Sequence, residues 1–154
     1  MHIGIIVYSK TGNTLSVAQK LEKALTQAGQ DAQIRRVTVN TDEEGSSGKL
    51  KLTANPDVSD YDTVVFDAPV HAFSLAPAMK LYLEQVGGLS NKKLYGFITQ
   101  HFKKPWMGGN NAIRKLTSLC KEKGADLRIT SIVNWFSSER EKQIEEIVKN
   151  MSTV

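Results

Sequence analysis

Short apolar runs rich in β-branched residues alternate with helical patterns along this chain, and no other feature restricts its fold as much. Ile3 to Tyr8 reads as a buried strand closed by a turn signal. Thr11-Gly12-Asn13-Thr14 then opens a helix in which Ala18, Leu21, Leu25 and Ala28 share one face, with Gly29 as its stop. Ala32 to Val37, Thr63 to Phe66, Lys93 to Thr99 and Leu127 to Phe136 read as four further strands. Pro77 suits a first helical position, and Met79, Tyr82, Leu83 and Val86 follow on one face. Ala112, Ile113, Leu116, Leu119 and Cys120 mark the next helix. Ser138 and Glu141 make a capping box before Ile144, Ile147, Val148 and Met151. The expectation is an α/β fold, a mainly parallel sheet of five strands with helices on both faces. Asn40 to Asp60 has no convincing period and is left open between a short helix, an irregular crossover and a mobile loop.

Composition narrows the class. The 154 residues suit one domain spanning 1–154, and 40% apolar with 23% charged residues is ordinary for a globular protein. The net charge of +4 is too small to argue for nucleic-acid binding without a clustered basic face. Lys92, Lys93, Lys103, Lys104, Arg114, Lys115, Lys121 and Lys123 make one segment basic, and they read as solvated faces. Cys120 is the only cysteine, which excludes an internal disulfide; on the apolar side of its helix it reads as a core residue. No apolar stretch reaches membrane-spanning length, no signal peptide precedes the first strand, and the cytoplasm is the expected compartment. No metal site is expected from the spacing of His, Cys, Asp and Glu. There is no G-x-S-x-G elbow, no G-x-G-x-x-G and no Walker sequence.

In an open parallel sheet, ligands bind beyond the carboxyl ends of the strands, where the strand order reverses. Three loops leave such ends: Ser9 to Thr14, Asp67 to Ala76, and Thr99 to Gly109. The first carries the strongest signal. Ser9, Lys10, Thr11, Gly12, Asn13 and Thr14 supply three hydroxyls, an amide, one cation and backbone N–H groups. A helix N-terminus adds roughly half a positive charge. Together these residues make a phosphate cradle of mostly neutral donors. A single N-cap would account for one of the six, not for the run.

The run Ser9-Lys10-Thr11-Gly12-Asn13-Thr14 resembles the phosphate loop of the flavodoxin family, written T/S-x-T-G-x-T. Ser59 to Phe66 is similar to the family's approach to its third strand, and Phe66 to His71 resembles its F-G-x-P-x-Y/W turn. The element order fits the short-chain branch over the whole length. The resemblance implies a flavodoxin-like doubly wound sheet of order 2-1-3-4-5 that holds FMN at the switch point between strands one and three. It implies phosphate binding at Ser9 to Thr14. Pro69, Val70, His71, Ala72 and Phe73 would then form one wall of the ring site. Thr99, Gln100, His101 and Phe102, with Trp106 and Gly108, would form the other. Stacking of such rings on a flavin is worth about 0.5–1.5 kcal/mol beyond area burial.

Three departures stand out. Asp67 occupies a place usually held by a small residue, where it would face solvent, cap a turn or repel an electron-rich flavin. His71 replaces the usual Tyr or Trp, and Ala72 stands where a glycine permits a peptide flip. The resemblance implies electron transfer to a redox partner protein, no catalytic side chains, no membrane, no nucleic acid, and a monomer or weak dimer. Two other functions stay open. One is an FMN-dependent NAD(P)H:quinone-type reductase. The other is a non-redox binding domain on the same fold.

Overall fold

The structure is a computed structural model describing residues 2–10, 12–40, 50–71, 74–100, 108–134 and 139–152. Its elements run β1 (His2–Val7), α1 (Asn13–Gln27), β2 (Asp31–Arg36), β3 (Thr38–Val39), β4 (Leu52–Ala54), β5 (Thr63–His71), β6 (Ser74–Leu75), α2 (Pro77–Gln85), β7 (Lys93–Gln100), α3 (Gly109–Glu122), β8 (Leu127–Asn134) and α4 (Arg140–Ser152). The main sheet has the order β2-β1-β5-β7-β8, all parallel, with β6 added antiparallel to β5. This is the expected order 2-1-3-4-5 plus one short strand.

Burial follows position in the sheet. The central strands β1, β5 and β7 are covered on both faces, so Ile5, Ile6, Val64, Phe66, Phe97 and Ile98 have no exposure. The edge strand β2 alternates exposed and half-buried residues. Val17, Ala18, Leu21 and Leu25 of α1 join Ile144 and Ile147 of α4 over Ile5, Val7, Val65 and Phe97. Met79, Tyr82 and Leu83 of α2 join Leu116 and Cys120 of α3 over Ile6, Phe66 and Ile98 on the other face. Each helix thus buries the stripe that its 3.6-residue period lays down.

Among the described residues, the segment after β2 holds the small antiparallel pair β3–β4. Residues 41–49, inside the stretch left open by the sequence, lie outside the described residues. Its return leg is anchored: the Tyr82 hydroxyl donates to the Pro56 carbonyl at 2.6 Å, and Val58 and Tyr61 are buried.

Other expectations need correction. The third strand does not stop at Phe66 but continues through Asp67, Ala68, Pro69 and Val70 to His71. Pro69 is tolerated because its missing N–H falls on the side that β1 leaves after Val7; there its carbonyl accepts the Ala76 N–H at 3.2 Å. Thr99 and Gln100 likewise belong to β7 and not to the loop after it. Of the expected capping box, Ser138 lies outside the described residues; the Glu141 carboxylate accepts from Lys20 Nζ of α1 at 2.7 Å. Trp135 and Phe136, expected at the end of the last strand, also lie outside the described residues.

Candidate functional site

The loop between β1 and α1 turns on Gly12, whose φ of 91° is left-handed and favours a residue without Cβ. Nothing among the described residues lies within 4 Å of the point where a Cβ would stand. The Ser9 Oγ accepts the Gly12 N–H at 3.0 Å, which closes the turn and leaves the hydroxyl proton free to point elsewhere. Gly12 is the N-cap of α1, and no side chain among the described residues caps the helix. Its first-turn N–H groups therefore face outward with the helix dipole behind them. Thr14 is buried, Asn13 is half-buried and Lys10 is exposed beside them. Thr11 lies outside the described residues.

Beyond Asp67, where β1 ends, β5 continues and folds back onto β6 as a hairpin, with Val70 opposite Leu75 and His71 opposite Ser74. Pro69, Val70 and His71 are half-buried along it. The His71 ring meets the Tyr8 ring edge-on, with centroids 6.2 Å apart and planes at 85°. Tyr8 was not singled out in the sequence, because it closes an apolar strand and reads as core. Ala72 and Phe73 lie outside the described residues.

The third segment begins inside β7. Thr99 and Gln100 are buried at its carboxyl end. Gln100 Nε2 donates to the Asn134 Oδ1 of β8, which ties the two strand ends together. Asn134 is a second residue that the sequence did not mark, since it falls inside the run read as the last strand. Its N–H donates to Gln143 Oε1 of α4 at 2.9 Å. Gly108 caps α3 at a φ of 123°, again with no side-chain cap among the described residues. A Cβ on the next residue, Gly109, would stand 2.7 Å from Gln100 Oε1. His101, Phe102 and Trp106 lie outside the described residues.

Asp67 neither faces solvent nor caps a turn through its carboxyl among the described residues. It sits inside β5 with no exposure, and neither oxygen has a hydrogen-bond partner among the described residues. Burial alone holds its pKa well above the usual carboxylate range. Thr99 Oγ1 is also buried without a partner among the described residues. No group of three or more His, Cys, Asp or Glu able to hold a metal occurs among the described residues. No described helix is long and apolar enough to cross a membrane.

Two uncapped helix starts, each behind a glycine of positive φ, thus follow strands β1 and β7 at one edge of the sheet, with the β5–β6 hairpin at the strand between them. This edge contains the reversal point: β1 connects outward to β2, while β5, β7 and β8 follow on its other side. The arrangement can take an anion at the α1 start and flank a larger group with the hairpin and the β7 end.

No protein-family model matches the sequence. Solved structures are similar to it over nearly the full length. A flavodoxin of Streptococcus pneumonia TIGR4 is 15% identical, with 99% of each chain covered and a TM-score of 0.69. The two-electron reduced flavodoxin of Megasphaera elsdenii is 19% identical, with 99% of each chain covered and a TM-score of 0.65. A flavoprotein of Lactobacillus acidophilus NCFM in complex with FMN is 18% identical, covering 92% of this chain and 97% of that one, with a TM-score of 0.62. Strand order, helix placement and these likenesses agree: the chain has the flavodoxin-like α/β fold.

Proposed function

We propose that the protein binds FMN at this edge and passes electrons between it and a partner protein in the cytoplasm. One observation carries the reading: the start of α1 is an uncapped cradle at the strand-order switch point, open at the place a Cβ on Gly12 would fill. A phosphate fits such donors without a cluster of lysines. The fold is shared with flavodoxins and with a flavoprotein that holds FMN, which supports the same ligand.

In this reading Gly12, Asn13 and Thr14, with Thr11, hold the phosphate, and Lys10 adds charge at the rim. Ser9 keeps the turn closed through its bond to Gly12. Pro69, Val70 and His71 of the hairpin flank the ring on one side, together with Ala72 and Phe73. Thr99, Gln100 and Gly108 line the other side, with His101, Phe102 and Trp106. Bound flavin would supply the redox chemistry; the protein positions it, excludes water and sets its surroundings.

The purified protein should be yellow, or become so on addition of FMN, with an absorbance spectrum shifted from that of free flavin. A protein that stays colourless and leaves the FMN spectrum unchanged would overturn the proposal and leave a non-redox binding domain. Rapid oxidation of NADH or NADPH by the holoprotein alone would replace the carrier by a quinone-type reductase.

A further inference from the structure

Asp67 is a buried carboxyl that the proposed function leaves unused. Its registered neighbours are Val7 on β1 and Phe97 on β7, and both pack into the face covered by α1 and α4. Side chains in register on a parallel sheet point to the same face, so the Asp67 carboxyl enters that layer too. Its backbone carbonyl accepts the Tyr8 N–H at 3.0 Å, one residue before Ser9 opens the loop. The carboxyl therefore stands in the pleat beneath the loop that leads into α1. Thr99, a buried hydroxyl without a partner among the described residues, pairs with Pro69 one pleat closer to the strand ends.

We propose that Asp67 is a proton-binding site coupled to anion binding at the loop 9–14, neutral when that loop holds a phosphate and able to ionise more readily when it does not. The proposal rests on the phosphate-binding reading given above. The physical reason is electrostatic. A carboxylate in this layer without a hydrogen-bond partner among the described residues is disfavoured by burial, and the field of the nearby α1 start is what favours its charge. A phosphate dianion takes up that same field and adds repulsion from close range. At a pH where Asp67 of the free protein is ionised, binding then draws a proton from solvent onto it.

Other ionisable groups around this layer do not take over the role. Lys20 of α1 and Glu141 of α4 pair with each other at the surface, 2.7 Å apart. Tyr95 lies on the same face of β7, one pleat further from the loop. On β1 the face is Ile3, Ile5 and Val7. His71 is further along β5, with its ring against Tyr8. Lys10 is exposed in the loop itself.

The test compares wild type with Asp67→Asn, using FMN and its phosphate-free analogue riboflavin as probes. Affinity is titrated by absorbance or fluorescence across the pH range in which the fold is intact. Wild type should lose FMN affinity with rising pH by up to about tenfold per pH unit more than the variant, the signature of one coupled proton. The titration of the FMN phosphate itself is common to both proteins and cancels in the comparison. Riboflavin should show no such difference. Independently, the carboxyl carbon of Asp67 in ¹³C-labelled wild type should titrate at higher pH with FMN bound than without, so this readout stands even where the variant fails to fold. FMN bound with the same pH dependence by both proteins, or an Asp67 resonance whose midpoint ignores FMN, overturns the coupling and leaves FMN binding intact. Absence of FMN binding by wild type overturns both the coupling and the function it rests on.

Discussion

The Ser9 hydroxyl oxygen accepts the Gly12 N–H at 3.0 Å, and this one bond spans the turn from which α1 starts. Gly12 holds a φ of 91° there, which an L side chain adopts only with strain. Gly12→Ala should lower stability by about 1–2 kcal/mol, the ordinary cost of a left-handed alanine, because open space around the site removes any clash. Urea unfolding of the two proteins measures it; an unchanged midpoint would show that the turn relaxes.

Thr14 is buried in the first turn of α1 and forms, with Thr11, the hydroxyl pair of the loop. Thr11→Ala combined with Thr14→Ala should weaken FMN binding by a few kcal/mol, since hydrogen bonds to charged groups are worth roughly 1.5–3 kcal/mol each. Riboflavin affinity should change far less. Equal losses for both ligands would place the phosphate elsewhere.

Gly4 lies under the Tyr61 ring, where an added Cβ would stand 2.6 Å from a ring carbon. The ring cannot swing aside cheaply. Its hydroxyl accepts from Arg35 Nε at 3.0 Å and donates to Gln33 Oε1 at 3.1 Å. Gly4→Ala should therefore destabilise by about 1–3 kcal/mol, the usual cost of overpacking. Calorimetric melting of the variant checks this, and Gly4→Ala with Tyr61→Leu should recover part of the loss.

Burial raises the Asp67 pKa in the folded protein, so the folded state binds a proton that the unfolded chain releases. Stability from this group is greatest below the unfolded carboxylate pKa and falls as pH climbs above it. Asp67→Asn removes that slope. The variant should be the more stable protein at neutral pH, and the advantage should shrink as pH falls towards about 3.9 and level off below it, where the unfolded Asp is protonated too. Denaturant midpoints at several pH values would decide it; parallel pH profiles would mean that Asp67 ionises without cost.

Cys120 is buried against α2 and the sheet, and desolvation pushes its thiol up to about 12. The thiolate is the reactive form, so native protein should resist alkylation at neutral pH and react only on unfolding. Labelling in native buffer at the rate seen in denaturant would contradict this.

The alternation of strands and helices was legible because the two periods differ and each element carries one apolar stripe. Val17, Leu21 and Leu25 repeat at helical spacing, while Ile3 to Val7 is continuous because β1 is covered on both faces. The loop Ser9 to Thr14 was legible as polar and small residues in an unbroken run between two apolar patterns. The reach of β5 was not. Pro69 reads as a strand terminator, and only the departure of β1 after Val7 makes its missing N–H harmless. Asn134 and Tyr8 were hidden for a related reason. Each falls inside a run read as a strand, and a partner from a distant part of the chain, Gln100 or His71, gives it a place at the edge.

Residue order alone determined the class of fold, the strand order that the resemblance implied and the position of the loop proposed to hold a phosphate, because periodicity and turn chemistry are local properties. Tertiary structure alone decided the state of Asp67. A carboxylate in a sequence reads as solvent-facing, since burial without a partner is costly. Whether water reaches it depends on β1, β7, α1 and α4 closing around one pleat, and those elements come from four separate parts of the chain.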